Sequence, residues 1–372
     1  MVYLMPYWKR ILDFDIQANG PGTPVKDILA GKSFNRPLGG YVGAVNVGTD
    51  ANWLGHHMGL ANLYGFGRLA WNPNLSPEVI ADEWALLTFG TDPKVVQTIT
   101  TMLLSSWLVY ESYTGPLGAQ TLTDITGSHF GPNVEASERN GWGQWHRADE
   151  KGIGMDRTVA MGTGFVGQYA PAIAKIYESL ETTPDNLLLW FHHVPYTYRL
   201  HSGKTVIQHI YDSHYEGAEK AEGFVAQWRT LNGLIDEQSY GEILARLEFQ
   251  AGHARVWRDA ICNWFHKTSG IEDLKSRVGR HPDRIEAEAL QLTGYKPMDI
   301  IPWENASGGK GIECPAPQGY SAAFKFDRAA GWYTIDVEYF GQNNGVSKYR
   351  VFVNDQLIDE WIADNNLPAK KP

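Results

Sequence analysis

One glycine-bounded apolar run, Gly40-Tyr-Val-Gly-Ala-Val-Asn-Val-Gly48, is the single convincing strand signal in the first 90 residues of this 372-residue chain. Its nearly continuous hydrophobicity reads as a strand buried on both faces, as in a parallel sheet. The loop Thr49-Asp50-Ala51-Asn52-Trp53 follows, then a helical pattern through Leu60, Leu63, Tyr64 and Leu69. Strand, loop and helix make one β/α unit. A lone parallel strand cannot close a sheet, and a β/α barrel needs eight. The pattern therefore predicts a chain that starts inside a domain.

From there the reading is helical. Residues 6–14 read as the end of an amphipathic helix, with Pro6 at a tolerated first-turn position. Ser76 is an N-cap signal with Pro77 at the first helical position and Glu78 in the first turn, and Gly90 marks the end. Asp92-Pro93 opens another helix, with Val95, Val96, Ile99, Met102, Leu103, Trp107 and Val109 at apolar positions. Further helices are expected near 165–180, 184–193, 204–231, 236–268 and 281–293. Long helices with short connectors predict a mainly α-helical domain over residues 72–298. Residues 297–317 are rich in Pro and Gly, a linker signature. Beyond them Tyr333, Ile335, Val337 and Tyr339 alternate with polar residues, and two apolar runs flank Asn354-Asp355, a two-residue hairpin signal. About four strands of a β-sandwich are expected over 299–372, where about seven are usual; an edge is left uncovered, so this domain too reads as partial.

Composition narrows the function. A net charge of -10 argues against nucleic acid and against an anionic membrane surface. No stretch approaches the roughly 18 apolar residues of a transmembrane helix. The opening residues lack the charged region and cleavage site of a signal peptide. Cys262 and Cys314 fall in different expected domains, which favours two unpaired thiols over a disulfide. The 14 tryptophans are many for an ordinary soluble chain. Such enrichment suits sugar binding and equally suits a large aromatic core.

The segment Gly127–Thr158 concentrates the chemistry. It holds two tryptophans, two histidines, three arginines and five acids among glycines, with neither helical nor strand periodicity. Glycine lets backbone approach a ligand, indole rings cover the apolar faces of a ring-shaped substrate, and arginines grip carboxylates through paired hydrogen bonds. That combination suits an acidic sugar; the competing reading is a long surface loop rich in turn residues. Glycoside hydrolysis usually needs two carboxyl groups flanking the scissile bond. Glu135, Glu138, Asp149, Glu150 and Asp156 are the candidates, against the alternative that they are solvated or pair with Arg139, Arg147 and Arg157.

Other motifs fail on spacing. His56-His57, His192-His193, His209 and His214 do not match H-E-x-x-H, so no metal site is expected. Gly203-Lys204-Thr205 resembles the end of a P-loop, but the first required glycine would fall at Tyr198. Ser128 lacks the G-x-S-x-G frame. The stretch 192–219 reads as structural, with Val206, Ile207, Ile210 and Tyr211 on a buried helical face and Glu216 and Glu219 outside.

Several segments together resemble the C-terminal half of family 67 glycoside hydrolases, the α-glucuronidases. They are ANLYGFGRLAWNPNLSPEVIADEW (61–84), HFGPN (129–133), WGQWHRADEKGIGMDRT (142–158), GTGFVGQY (162–169) and HHVPYTYRLHSGKTVIQHIYDSHYEG (192–217). The resemblance spans about residues 1–295, and the tail from WENASGGKGIECP looks like a β-sandwich appendage of some members. It implies the last β/α unit of a TIM barrel over residues 1–71, with 40–48 the last barrel strand, then the helical domain with a substrate-facing loop at 114–163. It also implies removal of 4-O-methylglucuronic acid, α-1,2-linked to the terminal xylose of acidic xylooligosaccharides, with inversion and without a cofactor. A homodimer through the helical domain is a further implication.

The general acid and the candidate base carboxylates of the family lie upstream of the segment matching VYLMPYWKRILDFD. On the resemblance, no catalytic residue is expected in this chain, and the chain alone is expected to be inactive. Binding residues carry over: Trp142 as an aromatic wall of the sugar pocket and Arg147 as partner of the uronate carboxylate or its neighbouring hydroxyls. Trp53, at the carboxyl end of the last strand, sits where barrel active sites form, and reads equally well as a core aromatic. The alternatives are a non-catalytic binding protein for acidic xylooligosaccharides and a distinct glycosidase with its own acid pair among Glu135, Glu138, Asp149 and Asp156.

Overall fold

The structure is a computed structural model, which describes residues 1–36, 39–40, 42–44, 57–119, 122, 131–132, 134, 148–300, 306–315, 319–340 and 346–363. It divides into two units, Met1–Arg280 and His281–Pro372. The first is mainly helical, with α1 (Met5–Asp13), α2 (Val25–Leu29), α3 (His57–Trp71), α4 (Pro77–Phe89), α5 (Pro93–Thr114), α6 (Pro171–Glu178), α7 (Leu188–Phe191), α8 (Val206–Arg229) and α9 (Glu237–Ser269).

Local chemistry sets where these helices begin and end. Ser76 Oγ accepts from the Val79 N–H at 3.3 Å, Pro77 follows, and Gly90 closes α4 at φ 92°. The Asp92 carboxylate takes the Lys94 and Val95 N–H groups of α5 at 2.8 and 3.2 Å. Thr205 caps α8, Asp236 caps α9, and Gly270 ends α9 in the left-handed region. Each such cap satisfies N–H or C=O groups that a helix end leaves open.

The core lies where α8 packs along α5 and α9 and where α5 packs along α4. Val95, Ile99, Met102, Leu103 and Val109 face it from α5 as their spacing predicts, whereas Val96 and Trp107 are only half-buried. Trp228 is fully buried: it stacks on Tyr240 at 6.2 Å, meets Phe89 edge-on and donates from Nε1 to the Tyr240 carbonyl. Trp84 and Trp257 are buried in the same core, so part of the tryptophan enrichment is structural. Gly217 lets α8 cross α5 closely, since a Cβ there would lie 2.8 Å from the Tyr113 nitrogen.

A polar strap closes the α8–α9 pair after Gly270. Tyr211 Oη donates to the Ile271 carbonyl, Gln208 bonds both Asp273 and the Leu274 N–H, and Arg277 grips Asp273 and Asp212. Burial opposes ionisation of Asp212, but Lys204, Lys275 and Arg277 around it hold the carboxyl well below the usual range. Lys204, the lysine of the apparent P-loop, is thus an ion-pair partner at 2.7 Å.

The helix expected at 281–293 is absent, and the barrel unit expected over residues 1–71 lies partly outside the described residues. Of Gly40–Gly48, only Gly40 and residues 42–44 are described; they form no strand, and Val42 is 97% exposed. Every sheet among the described residues is two-stranded and antiparallel, so no closed barrel is present among them. Residues 281–293 are not helical: a single 3-10 turn at Ala287–Ala289 leads into a strand. Ile285, Ala287 and Ala289 alternate with acids, a two-residue period that favours extended backbone.

The second unit differs from the expected sandwich as well. Strands β3 (Gln291–Thr293) and β6 (Ser321–Ala323) pair, as do β4 (Lys296–Asp299) with β5 (Lys310–Glu313) and β7 (Ser347–Val353) with β8 (Gln356–Ala363). Tyr333–Tyr339 belongs to no strand, and no described residue of this unit is buried. A two-stranded ribbon without a second layer has nothing to bury a face against. The β7–β8 hairpin is as expected: Asn354 and Asp355 take φ 48° and 66°, the primed turn that matches strand twist.

Candidate functional site

The proposed substrate-facing loop is held at its described points by the helical core. Leu117, Ala119, Leu122, Val134 and Ala148 are all buried in the same cluster as the helices. Trp142, Arg147 and Trp53, the three residues expected to bind sugar, lie outside the described residues, as do Glu135, Glu138, Arg139 and most of Gly127–Thr158. What the structure describes is the frame from Ala148 onward.

That frame is a tight hairpin docked on an antiparallel partner. Ala148 bridges Ile153, and the Asp149 N–H donates to the Gly152 carbonyl at 3.0 Å. Strand β1 (Gly152–Ile153) pairs with β2 (Val194–Pro195). Beyond it the Met155 N–H donates to the Leu189 carbonyl and the Arg157 N–H to the Phe191 carbonyl. A Cβ on Gly152 would fall 2.1 Å from the Val194 oxygen, and one on Gly154, at φ 103°, would fall 2.0 Å from the His192 oxygen. These glycines therefore serve close approach of two protein strands, where their sequence context suggests close approach to a ligand.

The loop acids that are described act on their own backbone. Asp149 Oδ1 accepts from the Lys151 and Gly152 N–H groups at 2.8 and 3.0 Å. Partial burial would raise its pKa; these two hydrogen bonds and His193, 3.8 Å from the other oxygen, outweigh that and hold it below the usual range. Asp156 Oδ1 accepts from the Thr158 N–H and hydroxyl. Glu150 is exposed. Arg157 does not pair with a carboxylate among the described residues. Its guanidinium lies 3.6 Å from the Trp190 ring centre and donates to the Trp190 carbonyl, so it acts as a stacked structural cation.

Residues whose sequence pattern is chemically quiet support this hairpin. Tyr196, 3% exposed, donates from Oη to the Asp149 carbonyl at 2.6 Å and packs edge-on against Phe265 of α9. His192 and Thr183 are buried and bonded to each other at 2.9 Å. Glu178 accepts the Val159 and Ala160 N–H groups. Only the paired glycines at 152 and 154 hint, in the sequence, that a partner strand lies close by.

The chain matches the model of the glycosyl hydrolase family 67 C-terminus over residues 54–278, and that of the family 67 middle domain over residues 1–53. This chain belongs to glycosyl hydrolase family 67. It is 51% identical over 366 residues to the probable alpha-glucuronidase A of Aspergillus clavatus, covering 98% of this chain and 44% of that protein. Against the alpha-glucuronidase A of Aspergillus tubingensis the identity is 50% over 365 residues, with 98% and 43% covered. The family 67 chain thus spans less than half the length of these relatives and corresponds to their C-terminal part. Its helices α1 and α2 fall within the middle-domain model and α3 to α9 within the C-terminal model, and the alignments to the relatives run on past Val278 to cover 98% of the chain.

Proposed function

We propose that this chain is the C-terminal part of an inverting α-glucuronidase that removes 4-O-methylglucuronic acid from xylooligosaccharides. The observation that carries the reading is identity of about half over nearly the whole chain to proteins named as alpha-glucuronidases. Residues 1–71 would then complete the catalytic barrel, and the helical part would present the loop 114–163 to the sugar. In an inverting enzyme one carboxylic acid protonates the leaving oxygen while a carboxylate activates water on the opposite face, roughly 6.5–9.5 Å away. We assign neither role to this chain. Asp149 and Asp156 are committed to their own turns; recognition is assigned to Trp142 and Arg147, with Trp53 at the barrel end, on the resemblance to the family. A homodimer through the helical part belongs to the same reading; Leu86 and Leu87, exposed on α4, offer apolar surface for it.

Titration of the purified chain with an aldouronic acid tests the proposal. Saturable binding without release of glucuronic acid is expected, weakened about tenfold in Trp142→Ala, the equivalent of about 1.4 kcal/mol. Absence of binding would sink the recognition role. Released glucuronic acid would return the acid pair to this chain.

A further inference from the structure

We propose that the outward apolar stripe of α1, formed by Tyr7, Ile11 and Phe14 and continued by Trp107 of α5, is a docking face for the part of the family 67 middle domain that the relatives carry ahead of the region this chain matches. It rests on the match to the C-terminal part of those proteins and on no activity, so its failure would leave the sugar-recognition reading untouched.

Apolar residues cover half the circumference of α1, and the two ends of that arc have different surroundings. Met5 and Leu12 are buried, and Trp8 packs on the same core. Tyr7 and Ile11 stand one turn apart on the adjacent face, each 42% exposed, and Phe14 follows just past the helix at 40%. The charged residues Lys9, Arg10 and Asp13 share the remaining side, where Lys9 bonds both Asp13 and the Pro73 carbonyl. A surface helix turns its polar residues to water, whereas one that is apolar on two faces is built to lie between two layers. The charges of α1 mark its water side, and the stripe is not on it.

Trp107 extends the stripe onto a second helix. Its ring centre lies 5.4 Å from that of Tyr7, and the Arg10 guanidinium sits 5.0 Å over the same ring. Tyr110, one turn further along α5, is exposed as well. Tyrosine, tryptophan and arginine are the residues that protein interfaces concentrate. The two helices come from different family domains, since α1 falls within the middle-domain match and α5 within the C-terminal one. Nearly the whole of this chain matches 44% of the Aspergillus clavatus protein, so more than half of that relative lies outside the match. The layer that α1 lacks is therefore the rest of its own domain.

The experiment co-expresses the 372-residue chain with the portion of the Aspergillus clavatus protein that precedes the matched region, and weighs the purified species by sedimentation. A one-to-one complex is expected. Ile11→Asp should lower its recovery about tenfold, because the carboxylate would be buried without a partner. The same variant of the chain alone should melt within about 2 °C of the parent, since Ile11 faces solvent there. Tyr7→Ser, which adds no charge, should act in the same direction, and Leu87→Asp on the exposed side of α4 should form the complex like the parent. A complex that survives both Ile11→Asp and Tyr7→Ser would overturn the docking face. A homodimer of the chain that Ile11→Asp dissociates would overturn it too, by giving the stripe to a second copy. Failure of the parent chain to form any complex would remove the proposal outright.

Discussion

His214, on α8, shows how a single side chain sets a condition on the whole unit. It is fully buried, its Nδ1 lies 2.8 Å from the Ile210 carbonyl, and its Nε2 has no hydrogen-bond partner among the described residues. Burial pushes its pKa down to about 4, the Ile210 carbonyl opposes the shift and His209 adds slightly to it. The folded state therefore takes up this proton less readily than the unfolded state, whose histidine titrates near 6.5. Stability from this group is whole above about pH 6.5, falls as the pH drops toward 4, and is reduced by about 3 kcal/mol once the pH is below both values. Buried His192 and half-buried His209, also held low by desolvation, keep some slope in place. In urea unfolding between pH 7.5 and 4.5, His214→Leu should lose less stability than the parent. Parallel losses in the two proteins would refute the assignment.

At the scale of elements, two glycines of α8 make opposite predictions from the same helix. Gly217 is pressed against α5, whereas a Cβ on Gly223 would meet nothing within 4 Å. Gly217→Ala should cost about 1–3 kcal/mol through overpacking between α5 and α8. Gly223→Ala should stabilise by about 0.5–1 kcal/mol, because the helix interior gains the better residue. Chemical denaturation of the two variants reads both signs, and a stable Gly217→Ala would mean that α5 yields at Tyr113. The helices themselves were legible because their signals are local: Ser76-Pro77, Asp92-Pro93 and Gly90 act on backbone within one turn. The Asn354-Asp355 hairpin was legible for the same reason. The hairpin at Ala148–Ile153 was not, because it depends on Val194 and Tyr196, about forty positions or more away in the chain.

The molecule as a whole divides its stability unevenly. Both hydrophobic clusters lie within Met1–Arg280, and no described residue of His281–Pro372 is buried. Since apolar burial is the dominant favourable term in folding, cooperative unfolding should belong to the first unit. Residues 1–280 produced alone should melt within about 2 °C of the whole chain, where about 1 kcal/mol corresponds to roughly 2–4 °C in a protein of this size. A fall of about 10 °C measured by calorimetry would show that the remaining residues contribute to the core. The expected sandwich misled on this point because alternation in Tyr333–Tyr339 records a preference for one apolar face and says nothing of what covers it.

Local sequence was enough for the helices, their caps, the apolar stripe of α5, the buried face of α8 and the family resemblance, which the Aspergillus proteins bear out. Those features rest on neighbours within a turn or on long stretches of matching text. What the polar residues do was settled by tertiary structure alone. It turned Lys204 from a phosphate-binding look-alike into a partner of Asp212, and Asp149 from a candidate acid into the keystone of a turn. It gave Gly152 and Gly154 a strand to approach and Tyr196 a carbonyl to hold. A charged or hydroxyl group takes its role from whatever lies within about 3 Å of it, and in this fold those partners come from distant parts of the chain.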